Sequence, residues 1–262
     1  GSLEVVLAIG PSKDRTLEIA NSLAAQDSRV KIVDNPSGRT AAGLNLAIQN
    51  SSYPIIARVD GHSQIPNDYI SNAVEQLELT GAVNVGGLMA AEGQTPFENA
   101  VARAMRSPLG VGAAKFHTGG SEGETDTVYL GVFKREALEA IGGFDEHFTR
   151  AQDWELNYRL RKNGGKIYFD PRLTVTYRPR RSLIALSNQY FEYGRWRRVV
   201  ARTHKGTINA RYLAPPFTVV GTISSLLLGC LHPILFMPAA VYGTFLILAS
   251  LLVGKSIKER FY

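Results

Sequence analysis

From Leu213 to Val253 the chain carries no Asp, Glu, Lys or Arg, and this uncharged run of 41 residues restricts the possible folds more than any other feature. Only Pro215-Pro216, His232-Pro233 and Pro238 punctuate it. A helix that crosses a bilayer takes about twenty apolar residues, so the run predicts two membrane helices with a tight turn near His232-Pro233. A pair of buried core helices, or a re-entrant segment, would show the same composition. Lys255, Lys258 and Arg260 follow the run and a basic segment precedes it. Basic residues at both ends place both flanks on the cytoplasmic side, as a hairpin requires, and the expected location is the inner (cytoplasmic) membrane.

Charge is distributed unevenly around this run. Residues 1–171 hold 16 Lys+Arg against 21 Asp+Glu, whereas residues 172–211 hold ten basic residues against Glu192 alone. The formal net charge of +6 therefore understates the polarity of the chain. An anionic partner is expected along the basic segment, either lipid headgroups or the diphosphate of a lipid-linked acceptor, and no nucleic acid. The 262 residues, 45% hydrophobic, can bury one core of about two hundred residues plus the apolar appendage. A single cysteine, Cys230, excludes an intrachain disulfide and suits a reducing compartment.

Upstream of the basic segment the chain reads as α/β. Tyr53-Pro-Ile-Ile-Ala-Arg-Val-Asp-Gly-His62 is an apolar strand ending in Asp60-Gly61-His62. Open α/β sheets place their chemistry beyond the strand ends. Asp60 and His62, with the chain turning at Gly61, could reach one divalent ion, Mg²⁺ by the oxygen ligand or Mn²⁺ by the added imidazole. A turn aspartate followed by a surface histidine is the plainer alternative.

A second carboxylate, Asp153, stands at the mouth of an amphipathic helix. Leu156 and Leu160, like Trp154 and Tyr158, are four apart, and Gly164-Gly165 supplies the stop. Unpaired N–H groups and the helix dipole favour its ionised form, which suits a proton acceptor; the alternative is an N-cap aspartate. A metal at the strand-end acid and a base at the helix mouth are what transfer from a nucleotide sugar needs.

The chain resembles family 2 glycosyltransferases of the GT-A fold, in particular a bacterial exopolysaccharide branch that includes succinoglycan-assembly glucosyltransferases. The resemblance is carried by Ser12-Lys-Asp-Arg-Thr16, Asn35-Pro36 through Gly43-Leu-Asn45, Arg58-Val-Asp-Gly-His62, Asp126-Thr-Val-Tyr-Leu-Gly131, Gly142-Gly-Phe-Asp-Glu146, Gln152-Asp153 and Gln189 through Trp196. It implies a mixed sheet flanked by helices and an inverting, metal-dependent transfer. Asp60 and His62 would serve the metal and the donor diphosphate, Asp153 would be the base, and Arg39, Asn45 and Arg195 would lie near the donor. Asp126, Gln189 and Trp196 would face the acceptor. Family members carry Glu-Asp where this chain has Gln152-Asp153, and they space the later element as Gln-x-x-Arg-Trp, whereas five residues separate Gln189 from Arg195 here. The first strand and helix of the family domain are expected to be missing. An acid that the family often uses for the nucleobase falls near Ala8 or Ile9.

The expected organisation is a GT-A domain at 1–180, a basic juxtamembrane and acceptor-side segment at 181–212, two hydrophobic membrane helices at 213–254 and a basic tail at 255–262. Within the first part, βα alternation is expected to about residue 120, followed by a strand at 129–133, the base helix and a strand at 166–169 ended by Pro171. The partners expected are a nucleotide-sugar donor, a lipid-linked or saccharide acceptor and membrane lipids. The competing expectation is a non-catalytic membrane-associated GT-A module or truncated remnant. His117 and His147 have no partner at ligand spacing and read as surface or packing residues, and 119–124 reads as a flexible glycine loop.

Overall fold

The computed structural model describes residues 2–61, 63–112, 114–208 and 210–254, without the side chains of residues 210 and 211. His62 and the tail at 255–262 lie outside the described residues. Two compact units emerge, one built from 1–90 and 113–177, the other from 91–112 and 178–262.

The first unit opens with β1 (Val5–Ile9), α1 (Thr16–Gln26), β2 (Val30–Asp34), α2 (Thr40–Gln49), β3 (Ile55–Ala57), α3 (Tyr69–Thr80) and β4 (Asn84–Ala91). The strict alternation ends there, earlier than the sequence suggests. The apolar residues from 96 onward are used by helices, α4 (Pro96–Met105), α5 (Pro108–Val111) and α6 (Lys115–Thr118). Then come β5 (Gly123–Glu124), β6 (Tyr129–Lys134), α7 (Arg135–Ala140), α8 (Gln152–Lys162) and β7 (Ile167–Tyr177). β1 and β2 form a parallel pair, and β3-β6-β4-β7-β5 form a second sheet in which β6 runs antiparallel to both β3 and β4. The pairing is mixed and helices flank the strands, as the family resemblance implies.

Its core is two clusters. One joins Leu138, Phe144, Leu156 and Leu160 to Phe133, Ile167 and Phe169; the other joins Tyr69, Ala73 and Leu77 of α3 to Val132, Leu173 and Val175. Adjacent Val132 and Phe133 falling in different clusters is the period-two signature of a strand covered on both faces.

β7 departs from that rule and from the expectation that Pro171 ends it. Ile167, Phe169, Leu173 and Val175 share parity, so a regular strand would put all four on one face, yet they divide between the clusters. The change of face occurs at Pro171. The Asp170 carboxylate accepts from Arg172 N (2.8 Å) and the Thr174 hydroxyl donates to Pro171 O (3.0 Å), closing a local irregularity where the proline has no N–H to give. The strand runs on through Pro171 to Tyr177.

The second unit contains α4 and α5 and continues with α9 (Leu183–Thr203), α10 (Ala210–Gly229), a 3₁₀ turn (Pro233–Phe236) and α11 (Met237–Val253). The start of α4 is a capping box: Thr95 accepts from Glu98 N while Glu98 accepts from Thr95 N, with Pro96 at the first helical position. α10 and α11 form the C-terminal apolar hairpin, turning at His232-Pro233 as the prolines suggest. The Ser225 hydroxyl donates to Leu235 O (2.6 Å) and accepts from Ala239 N (3.1 Å), so one side chain serves two backbone groups that the turn leaves without helical partners. By length and composition both arms could cross a bilayer: 18 residues at Tyr212–Gly229 and 21 at Pro233–Val253. At 1.5 Å per residue these span roughly 27 and 31 Å, close to the hydrocarbon thickness.

Candidate active site

The site is organised by Arg58. β3 delivers it to the sheet end, where its backbone N–H still donates to Gly131 O (3.1 Å) and keeps the residue in register with β6. Its side chain is only 6% exposed. Nε donates to Asp60 Oδ1 at 2.8 Å and Nη2 to Asp60 Oδ2 at 3.3 Å, while Nη1 contacts Asp153 Oδ1. One guanidinium thus joins the strand-end carboxylate to the helix-mouth carboxylate. The ring of Phe144 lies 5.8 Å from its central carbon.

Asp153 is not the helix cap. The N-cap of α8 is Ala151, in the left-handed region at φ 60°, and no side chain caps the end. Asp153 occupies the second helical position, and its carboxylate goes to Arg58 instead of to the helix N–H groups. Surrounding protein removes solvent from the carboxyl and pushes its pKa up; Arg58 opposes this and Asp60 reinforces it. The side chain nonetheless keeps 43% of its surface open, so this desolvation is partial. Arg58 stays protonated throughout, because two neighbouring carboxylates outweigh its burial.

Several contacts hold α8 in this position. Asn157 accepts from Asn84 Nδ2 (2.6 Å) and donates to Thr127 Oγ1 (2.8 Å). Buried Glu155 takes a two-pronged pair from Arg159, which also donates to Ile141 O at the start of the Gly142-Gly143-Phe144 turn. Among the described residues Leu130 (φ 44°) and Ala151 are the two non-glycines at positive φ. Leu130 precedes Gly131, the acceptor of Arg58 N, and Ala151 lies two residues before Asp153. Backbone strain is concentrated around the carboxylate pair, as is common at functional sites.

Other expected residues are placed as follows. Asn45 grips Phe144 through both backbone groups (2.8 Å each) and donates to Glu146; Arg39 donates to Glu146 O at 3.0 Å. These two side chains hold the turn that carries Phe144 toward Arg58. Gly143, at φ 73°, is required there, since a Cβ would come within 2.7 Å of Asn45 Oδ1. Asp126 pairs with Arg161 at 3.0 Å and is largely exposed. Gln189, Arg195 and Trp196 belong to α9 in the other unit. Gln189 donates to the Tyr193 hydroxyl (2.7 Å), and Trp196 follows at i+7 on that face, whereas Arg195 turns away to Glu192 (3.4 Å). His62 lies outside the described residues. Arg58 stands in the Arg58-Val-Asp-Gly-His62 motif, and nothing in the sequence around it signals that it joins the two carboxylates.

Among the described residues no three His, Cys, Asp or Glu side chains gather into a metal cluster. Asp60 does suit a cation that takes one protein carboxylate and completes its shell with substrate phosphates and water. It is 22% exposed, and each of its oxygens keeps a lone pair beyond the Arg58 contacts.

The mixed α/β fold is of the GT-A type. The chain belongs to glycosyl transferase family 2, whose model matches residues 1–142. It is 37% identical over 213 residues to the succinoglycan biosynthesis protein ExoA of Rhizobium meliloti (strain 1021), an alignment covering 80% of this chain and 64% of that protein. It is 25% identical over 221 residues to a dolichyl N-acetyl-alpha-D-glucosaminyl phosphate 3-beta-D-2,3-diacetamido-2,3-dideoxy-beta-D-glucuronosyltransferase of Methanococcus voltae, covering 81% of this chain and 68% of that one. The mannosyltransferase PcManGT from Pyrobaculum calidifontis, solved in complex with GDP-Man and Mn²⁺, shares the fold at a TM-score of 0.51 and 22% identity, over 70% of this chain and 50% of that chain. The chain therefore spans about two thirds or less of the length of these relatives.

Proposed function

We propose that the chain forms the catalytic part of a membrane-anchored inverting glycosyltransferase, moving a sugar from a nucleotide-sugar donor to a lipid-linked or saccharide acceptor in cell-surface polysaccharide synthesis. The observation that carries this reading is the convergence of Asp60 and Asp153 on one buried guanidinium, in a family 2 domain. An acceptor hydroxyl oxygen would attack the anomeric carbon as the bond from that carbon to the diphosphate oxygen breaks. Asp153 would take the hydroxyl proton and the nucleoside diphosphate would leave with the bonding pair, so attack from the opposite face inverts the centre. Asp60, with His62, would hold Mn²⁺ or Mg²⁺, and the cation supplies neutralisation of the leaving diphosphate. Arg39, Asn45 and Arg195 are assigned to the donor side, and Asp126, Gln189 and Trp196 to the acceptor side.

Membrane attachment is assigned to residues 213–254. Phe217, Leu231 and Leu252 are each more than 70% exposed, and leaving one such side chain in water forfeits about 1.5–3 kcal/mol. Lipid would cover them, and the basic flanks would keep the catalytic domain at the cytoplasmic face of the inner membrane. The relative named for transfer to a dolichyl-linked sugar supports a lipid-linked acceptor, and the one named for succinoglycan biosynthesis supports a place in polysaccharide synthesis.

The test is sugar transfer by Asp153→Asn in the full chain, in membranes, with donor binding measured alongside. Transfer is expected to vanish while the donor still binds. Turnover equal to that of the unaltered chain would remove Asp153 from the role.

A further inference from the structure

Resting on the reading of Asp153 as the base, we propose that Arg58 is the positioning residue of the site, a rigid fork that sets Asp60 and Asp153 relative to one another and so aims the base at the acceptor. The two acids come from different elements, 95 residues apart from Arg58 in one case and two in the other. Arg58 meets them with different edges: Nε and Nη2 to Asp60, Nη1 to Asp153. A planar guanidinium presents those donors at fixed angles, which a single ammonium cannot do.

The fork is itself held on three sides. Its backbone is paired to Gly131 O, Phe144 lies beside the guanidinium, and the side chain is 94% buried. Phe144 is in turn set by Asn45 through both of its backbone groups. One cation faces two acids, so Arg58 is more than the neutralising partner of either. With Asp60 assigned to the leaving diphosphate and Asp153 to the incoming hydroxyl, the fork fixes the separation between the two ends of the reaction. Misplacing a reacting group by about 1 Å can cost on the order of 10²-fold in rate.

The experiment uses the full chain in membranes, comparing Arg58→Lys, Arg58→Ala and Asp153→Asn for kcat, donor KM and thermal midpoint. Arg58→Lys keeps the charge and loses the fork. It is expected to lower kcat about 100-fold or more while donor KM stays within about threefold. Arg58→Ala is expected to regain part of its turnover when guanidinium is supplied below denaturing concentrations. If Arg58→Ala fails to fold, Arg58→Lys decides alone. A kcat for Arg58→Lys within threefold of the parent overturns the proposal, and so does a loss confined to donor KM, which would tie Arg58 to Asp60 only. Inactive Asp153→Asn beside active Arg58→Lys rejects this inference alone; active Asp153→Asn rejects the base assignment and this inference with it.

Discussion

Asp153 combines two opposing influences, loss of solvent around its carboxyl and the positive charge of Arg58, and the first prevails. On the proposed role, Asp153 must be deprotonated to act as the base, so activity should fall as pH drops through the pKa of Asp153 in the free protein. That pKa is raised, so the acid limb of kcat/KM is expected above the ordinary aspartate range, and a pH profile measures it directly. A limb at or below that range would mean that Arg58 dominates instead. Both carboxylates were legible in the sequence, one from its place after an apolar run and one from its place before an amphipathic pattern. Arg58 was not, although it stands two residues from Asp60. An arginine beside an aspartate reads as a surface pair. Its burial depends on Phe144 and Asp153, which the fold brings from far along the chain.

Among the elements, α8 shows how local sequence and tertiary demand conflict. Its first turn is acidic and its last basic, in agreement with the helix dipole, yet it starts on an alanine in the left-handed region with no side-chain cap. Relief of that backbone cost, about 1–2 kcal/mol for a non-glycine residue, is partly cancelled by the greater unfolded-state entropy of glycine, about 0.5–1 kcal/mol. Ala151→Gly should therefore raise stability by about 0.5 kcal/mol in chemical denaturation, and Ala151→Ile, whose branched Cβ tolerates positive φ worse, should lower it. Equal midpoints for all three chains would show that no strain is stored there. β7 conveys the same lesson differently. Pro171 does not end the strand as its sequence suggests, and whether a strand stops or changes face at a proline depends on what receives its far half. Here α3 offers Tyr69, Ala73 and Leu77 to Leu173 and Val175.

For the whole molecule, the hairpin prediction is the most direct to check. The full chain should stay with the membrane through alkaline carbonate extraction, and deletion of 213–254 should release it; extraction of the intact chain by carbonate would assign the apolar helices to another partner. Length, the absence of charge and the placing of prolines determined this apolar hairpin from sequence alone, because an uncharged run and its proline breaks are read within the run itself, independent of neighbours. Periodicity likewise determined the opening βα alternation and helix α8, because strand and helix patterns are read within a few residues. The change of face within β7, the grip of Asn45 on Phe144 and the meeting of Asp60 with Asp153 on Arg58 were decided only in the tertiary structure. Each depends on contacts between segments distant in the chain, and a residue's burial and partners are properties of the packed fold, not of the sequence around it.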